Sequence, residues 1–453
     1  AIGGKDSMSG TFEHIDVPPT LISFALAPAK ASKLITNVLE KKGTKLYWIP
    51  MHKDFSKIPD FRELADMYRE IHRNVESGNI RFATVVENGG IAAAVAKSCF
   101  GNMLGFRFEG DCDCLLSEHY GEILVSLEDP DKLNAPKVYL GETTESGFVY
   151  DKESVSGKEA AEAFCGTLEK VFPNHAEAQG RAKDVDFDCK GKRYENIATK
   201  TAKPRVFIPV FPGTNCELDT ARKFRLAGAE CDVIVVKNRS AADIEESVQA
   251  FAKAISRANI IAFPGGFSGG DEPDGSGKFI ATTFRNPTIA EQVMKLLNER
   301  DGLILGICNG FQALIKLGLV PYGEIRPLKA SSPTLTYNNI SRHVSTLVDI
   351  RVASNKSPWL SACKVGDVFT VPVSHGEGRI VAPHKELEAM AANGQIATQY
   401  CDLSGKPTME YPFNPNGSAW AIEGITSPDG RVYGKMGHTE RTGDNLYKNC
   451  TGN

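Results

Sequence analysis

The stretch "GLILGICNGFQALIKLG", from Gly302 to Gly318, holds the residues best placed to do chemistry. An apolar run stops at Cys308, which Gly306 and Gly310 bracket, and a second apolar stretch follows at helical spacing. Gly-x-Cys-x-Gly is the thiol counterpart of the Gly-x-Ser-x-Gly elbow, where a strained strand-to-helix turn presents a nucleophile at the edge of a sheet. The spacing therefore predicts a sulfur exposed to a cleft. The helix that starts just after it points its positive end at the sulfur, which favours thiolate. The amide of Asn309 points into the same space and suits an oxyanion. A lone cysteine is more often a buried packing residue. The paired glycines and the strand-to-helix switch reverse that reading at Cys308. Cys216, Cys231, Cys363 and Cys401 lack such a setting and are read as packing residues.

A cysteine nucleophile needs a base and a group to orient it. Among nine histidines, His438 in "GKMGHTERTGD" stands two residues before Glu440. In an extended segment such residues face the same side, about 7 Å apart at Cα. The carboxylate can then hold the imidazole and fix its tautomer while His438 relays a proton. In "AFPGGFSGGDE", Gly265 and Gly266 follow a strand, where a backbone amide can approach a ligand unhindered.

Elements that could position these groups are legible around them. "RVFIPVF" reads as a buried strand, and "CDVIVV", "NIIAFPGG" and "LILGI" as further strands. "CELDTARKFRLAG" and "PTIAEQVMKLLNERDG" read as helices between them, and "DVFTVPV" and "SAWAIEGITS" as further strands. Strands alternating with helices predict an α/β fold with a parallel sheet. The first half reads as α+β. "DFRELADMYREIHRNVESGN" is an amphipathic helix capped by Asp60, with Phe61, Leu64, Tyr68, Ile71 and Val75 on one face, and "IAAAVAKSCFGN" is another helix. "GEILVSLED" and "KVYLGETTESGFVY" are strand-like. A polar, charged stretch from 186 to 205 marks the boundary.

With 453 residues the chain is long enough for two or more domains. A net charge of −4 without a basic stripe argues against nucleic acid as a partner, and no apolar run is long enough to span a bilayer. Eleven cysteines without framework spacing fit reduced thiols in a cytoplasmic protein. Cys112 and Cys114 form one C-x-C with no second pair to complete a zinc set. The chain opens on Ala1 with no initiator methionine, which suggests a piece of a longer polypeptide.

The segments "FPGTNCELDTA", "FPGGFSGGDE", "GICNGFQAL", "PVSHGEGR" and "GHTER" together resemble the class I glutamine amidotransferases. More narrowly they are similar to the glutaminase portion of the phosphoribosylformylglycinamidine synthases of purine biosynthesis. The resemblance implies a flavodoxin-like parallel-sheet glutaminase domain over 203–453. It makes Cys308 the nucleophile, His438 the acid/base and Glu440 its partner, with the amides of Gly266 and Asn309 as oxyanion hole. Gln312 and the loop at Ser374, His375 and Gly376 would bind the substrate glutamine. Asn338 and Arg342 in "NNISRHVS" match a family segment more loosely, because His343 stands where an aromatic residue is common.

"GGKDSMSG" and "GGIAAAVAKSCFGN" resemble a synthetase-like repeat of the large single-chain synthases, with the fold of aminoimidazole ribonucleotide synthetase. This resemblance implies the tail of a nucleotide-binding subdomain over 1–28, an α+β synthetase-like subdomain over 29–185 and a linker over 186–202. Lys5, Asp6 and Ser7 become nucleotide candidates, with ATP and Mg²⁺ as cofactors of the complete enzyme; the metal ligands are left unassigned. Related repeats often carry His-Asp a few residues before the Gly-Gly, whereas this chain has Thr84 and Val85, so an acidic ligand would be missing. The implied reaction is glutamine hydrolysis, with ammonia delivered for ATP-dependent conversion of formylglycinamide ribonucleotide to its amidine, in partnership with the N-terminal synthetase portion that lies upstream of Ala1. The alternatives are a glutaminase serving another synthetase, or a silent nucleotide-binding scaffold.

Overall fold

The computed structural model describes residues 10–19, 23–53, 58–109, 114–189, 203–268, 277–443 and 446–447. The chain divides into two compact units, Ala1–Phe172 and Pro173–Asn453.

The first unit is built on a seven-stranded sheet. In chain order its elements are β1 (Lys45–Ile49), α1 (Phe61–Glu76), β2 (Ile80–Val85), α2 (Gly90–Phe100), β3 (Gly105–Phe108), β4 (Ile123–Leu127), β5 (Val138–Thr144), β6 (Phe148–Tyr150), β7 (Glu153–Val155) and α3 (Gly157–Gly166). The strand order is β2-β4-β1-β5-β3-β6-β7. All its pairings are antiparallel except β3 with β6. Neighbouring residues on one strand face opposite sides, and both sides are covered. Leu124 packs with Ile91, Val95 and Cys99 of α2, while Val125 packs with Ile71 of α1. Asp60 caps α1 by accepting from the amides of Arg62 and Glu63, and those amides hold its carboxylate below the usual range. Ile71 is buried as the periodicity predicts, but Phe61, on the first turn, is exposed.

The second unit carries β8 (Arg205–Val210), α4 (Glu217–Leu226), β9 (Glu230–Val235), α5 (Ala241–Arg257), β10 (Ile260–Phe263), α6 (Lys278–Phe284), α7 (Pro287–Asn298), β11 (Leu303–Ile307), α8 (Asn309–Leu317), β12 (Val344–Val352), β13 (Val368–His375), α9 (His384–Ala392), β14 (Ile396–Cys401), β15 (Ile422–Thr426) and β16 (Val432–Lys435). Nine strands form one sheet in the order β9-β8-β10-β11-β16-β15-β14-β12-β13. The first five are parallel and follow the 2-1-3-4-5 order of flavodoxin-like folds. The expectation of a parallel sheet is met only there. From β16 onward every pairing is antiparallel, so the sheet is mixed.

The inner parallel strands β8, β10, β11 and β16 are largely buried, with helices packed on their faces, while the edge strand β9 is only part-buried. Phe207, Ile261 and Ile304 sit in the main core with Phe251 and Ile255 of α5, and Val206, Ile208 and Ala262 pack with Ala221 of α4. The stretch before residue 190 belongs with this unit. The Phe187 amide donates to the Ala353 carbonyl at 2.8 Å, and Lys183 pairs with Glu388 at 2.8 Å. The compact division thus falls at 172/173, ahead of the polar stretch that composition marks. Among the described residues no helix is long and apolar enough to cross a membrane.

Candidate active site

Two neighbouring strands end at one edge of the sheet. β11 pairs in parallel with β16, Ile307 opposite Lys435. The chain leaves β11 at Cys308 and β16 towards His438. The Cys308 amide donates to the Lys435 carbonyl at 2.8 Å, and the His438 amide donates to the Pro372 carbonyl of β13, also at 2.8 Å. Backbone hydrogen bonds therefore fix both segments at the edge where the sequence places the chemistry.

Cys308 adopts φ 51° and ψ −103°. For a non-glycine residue such a conformation costs about 1–3 kcal/mol and persists only where the surroundings enforce it. Close packing enforces it here. A Cβ on Gly306 would come within 2.6 Å of Leu314 Cδ1, and one on Gly310 within 2.2 Å of the Phe263 carbonyl. Strand, elbow and α8 can approach this closely only with glycine at both positions.

The sulfur is not exposed as the elbow spacing predicts. Cys308 is 5% exposed, and its Sγ lies 3.7 Å from the Ser374 carbonyl. Burial pushes its thiol well above the usual range, with Cys216 and Glu440 adding to the rise; a hydrogen bond from the Asn309 backbone and the charge of Arg441 oppose it. Desolvation outweighs the helix N-terminus, so the resting group is a thiol, not the thiolate expected from the helix alone. Attack by this sulfur requires a base.

His438 is 2% exposed, and its Nδ1 lies 2.5 Å from Glu440 Oε1. The carboxylate accepts from Nδ1–H, which leaves Nε2 free for proton transfer. The pairing predicted from the sequence forms, but by a different local structure. Thr439–Arg441 is a 3₁₀ turn closed by the Arg441 amide on the His438 carbonyl at 3.1 Å, where an extended segment was expected. Gly265 makes room for the ring: a Cβ there would lie 2.6 Å from His438 Cε1. Gly266 has φ 144°, and a Cβ on it would lie 2.6 Å from the Gly213 carbonyl, so glycine is required at this turn as well.

The loop following β13 is held by Asn338. Its side chain meets His375 Nδ1 at 3.0 Å, the Gly378 amide at 3.2 Å and the His375 carbonyl at 2.8 Å, while its own amide donates to the Gly376 carbonyl at 2.8 Å. Gln312 ties α8 to the same loop by donating to the Glu377 carbonyl at 2.6 Å, and its Oε1 accepts from Asn309 Nδ2 at 2.9 Å. Ser374 Oγ meets His343 Nε2 at 3.0 Å. Arg342 Nη2 donates to the Asn174 carbonyl at 3.4 Å. Burial, with His438 and His343 nearby, lowers His375 to about 3, so it stays neutral at physiological pH.

Cys216 is buried, as its reading as a packing residue has it, but its neighbours are not those of a simple core residue. It caps α4, is fully buried, and its Sγ lies 3.9 Å from His438 Nδ1 and 2.9 Å from Arg441 Nη2. The segment "GTNCELD" holds one cysteine, and nothing local says that a strand end more than two hundred residues later comes to meet it. Lys5, Asp6 and Ser7 lie outside the described residues, as does Cys112. Thr84 and Val85 end β2 with no carboxylate between them. Among the described residues the one group of three or more His, Cys, Asp or Glu side chains able to hold a metal is Cys216, His438 and Glu440.

The model of the CobB/CobQ-like glutamine amidotransferase domain matches residues 203–453. The chain belongs to this amidotransferase family. The PurQ subunit of phosphoribosylformylglycinamidine synthase from Methanococcus maripaludis (strain C7) is 37% identical to this amidotransferase over 246 residues, covering 53% of this chain and 82% of that one. The corresponding PurQ subunit from Aquifex aeolicus is 34% identical over 241 residues, covering 53% and 91%. A chain of the solved PurLQS structure from Thermotoga maritima is 28% identical over 54% of this amidotransferase and 92% of that chain, with a TM-score of 0.40.

Proposed function

We propose that the second unit hydrolyses glutamine with Cys308 as nucleophile, His438 as general acid/base and Glu440 as the partner that orients the imidazole. The observation that carries this reading is the strained elbow at Cys308 and the buried His438–Glu440 pair, which lie just beyond the ends of two neighbouring parallel strands. Because burial keeps the thiol protonated at rest, His438 takes its proton as the sulfur attacks the side-chain amide carbon. The amides of Gly266 and Asn309 stabilise the oxyanion. The intermediate collapses as His438 returns the proton to the departing ammonia. Water, deprotonated by the same imidazole, then cleaves the thioester and releases glutamate. Gln312, Ser374, His375 and Gly376 belong to the pocket for the amino-acid end of glutamine.

The kinship with PurQ subunits supports a place in phosphoribosylformylglycinamidine synthase. In that role the ammonia passes to a synthetase portion that converts formylglycinamide ribonucleotide to the amidine, in the cytoplasm. ATP with Mg²⁺ belongs to that synthetase portion, where it would activate the amide oxygen by phosphorylation. No described residue of the first unit offers a metal-ligand cluster, so no step is assigned to it. We read residues 29–185 as a synthetase-like α+β subdomain, preceded over 1–28 by the tail of a nucleotide-binding subdomain that carries the nucleotide candidates Lys5, Asp6 and Ser7.

The test is glutamate release from glutamine by residues 1–453 supplemented with a synthetase subunit. Cys308→Ala and His438→Asn lose turnover on this reading. Undiminished release by Cys308→Ala would contradict it.

A further inference from the structure

Cys216, His438 and Glu440 form a group that glutamine hydrolysis does not require in full. All three side chains are buried, and one donor atom from each lies within 4.8 Å of the others. Sulfur, imidazole nitrogen and carboxylate oxygen are a donor set suited to Zn²⁺, for which Zn–S is about 2.3 Å and Zn–N about 2.0–2.1 Å. Tetrahedral placement with those lengths separates S from N by roughly 3.5 Å, and here Cys216 Sγ and His438 Nδ1 stand 3.9 Å apart.

Two independent features leave the group open to an ion. Glu440 Oε2 is buried and has no hydrogen-bond partner, so a carboxylate oxygen remains unused beside the pair. Buried carboxylate oxygens are normally satisfied, and one left over calls for an explanation. Gly265 keeps clear the space that faces both other donors: a Cβ there would lie 3.1 Å from Cys216 Sγ and 3.3 Å from His438 Nδ1. Burial raises the Cys216 thiol to about 11, and Arg441 Nη2, at 2.9 Å from the sulfur, offsets only part of that rise, so the ion itself has to displace the proton.

We propose that Cys216, His438 and Glu440 bind a thiophilic divalent cation of the Zn²⁺ type, and that the bound ion switches the glutaminase off. The ion displaces the Cys216 proton to solvent, forms one metal–sulfur bond and takes the Nδ1 lone pair and the Glu440 carboxylate. His438 then carries its proton on Nε2 and can no longer accept one from Cys308. The regulatory half rests on the proposed role of His438; the binding half does not.

The experiment titrates Co²⁺, then Zn²⁺, into residues 1–453 free of chelators and added thiols. One equivalent of Co²⁺ should give a near-ultraviolet sulfur-to-cobalt absorption that Zn²⁺ abolishes. The band should persist in Cys308→Ala and vanish in Cys216→Ser. A band that survives in Cys216→Ser, or that disappears in Cys308→Ala, would overturn the site, as would no band in the unmodified chain. Zinc-edge X-ray absorption of the Cys308→Ala complex needs no change at Cys216. It should show one sulfur neighbour, and a shell of nitrogen and oxygen alone would also overturn the site. In glutamine hydrolysis, Zn²⁺ should inhibit the unmodified chain at concentrations at least roughly tenfold lower than Cys216→Ser, because the variant loses a direct sulfur ligand and even an outer partner of a ligand is worth about 10–100-fold in metal affinity. Unchanged hydrolysis at full Zn²⁺ occupancy would overturn the regulatory half while leaving the binding result standing.

Discussion

Cys216 and Cys308 stand at matching places in the fold. Each caps a helix that follows a strand of the parallel sheet, α4 after β8 and α8 after β11. Both are buried, and burial raises both thiols, Cys216 to about 11 and Cys308 further. Their backbones differ. Cys216 has φ −112° and ψ 9°, whereas Cys308 has φ 51° and ψ −103°. Neither burial nor a raised proton affinity separates the proposed nucleophile from the other thiol in this pair. The strain does, because a strained elbow aims its sulfur and needs glycines packed around it to persist.

Substitutions at the two thiols should break or uphold that contrast most sharply. Cys308→Ala should reduce glutamate release by at least about 10³-fold, the scale of removing a covalent nucleophile, while Cys216→Ala stays within a few-fold of the unmodified chain. Steady-state glutamate assays check both. Comparable losses at the two positions would erase the distinction.

Glu440→Gln comes next. It leaves a neutral group opposite His438 Nδ1, and the expected fall in kcat is about 10²–10⁴-fold, as when the carboxylate behind a catalytic histidine is made neutral. A change confined to KM would place Glu440 in binding instead.

Stability should also separate the two settings. Gly310→Ala drives a Cβ to 2.2 Å from the Phe263 carbonyl at the Cys308 elbow, and overpacking of this kind costs about 1–3 kcal/mol. Gly228→Ala, after the helix that Cys216 caps, meets no atom within 4 Å at φ 90°, so only backbone strain of about 1 kcal/mol is expected. Urea unfolding of the two variants measures the difference.

The last effect is absent at neutral pH and builds only in acid. Burial lowers His375 to about 3 in the folded chain, against about 6.5 when unfolded. Between those values the unfolded chain binds a proton that the folded chain refuses. His375 therefore costs no stability above pH of about 6.5 and destabilises progressively as pH falls towards about 3. His375→Gln should remove up to one proton, roughly 1.4 kcal/mol per pH unit, from the slope of unfolding free energy across that window.

Much of the geometry around the candidate groups was legible because its signals are local. The apolar run before Cys308, the flanking glycines and the spacing of His438 and Glu440 all lie within a few residues of the groups they position. The parallel half of the sheet was legible for the same reason: β8, β9, β10 and β11 are apolar runs bounded by turn residues. What escaped depends on pairing across long separations. Cys216 meets His438 only because the sheet brings β16 beside β11. The burial of Cys308 follows from the loop at Ser374, which Asn338 and Gln312 fasten from other elements. The antiparallel half was only partly read. β14 is buried along its whole length, so its pattern carries no alternation to announce a strand.

Covalent capture tests the roles of these thiols most directly. The chain would be treated with an electrophilic analogue of glutamine and its modified residues mapped by peptide mass spectrometry. The prediction is a single adduct, on Cys308, that excess glutamine prevents and His438→Asn slows. An adduct on Cys216, or equal modification of several cysteines, would contradict the assignment of Cys308 as the nucleophile.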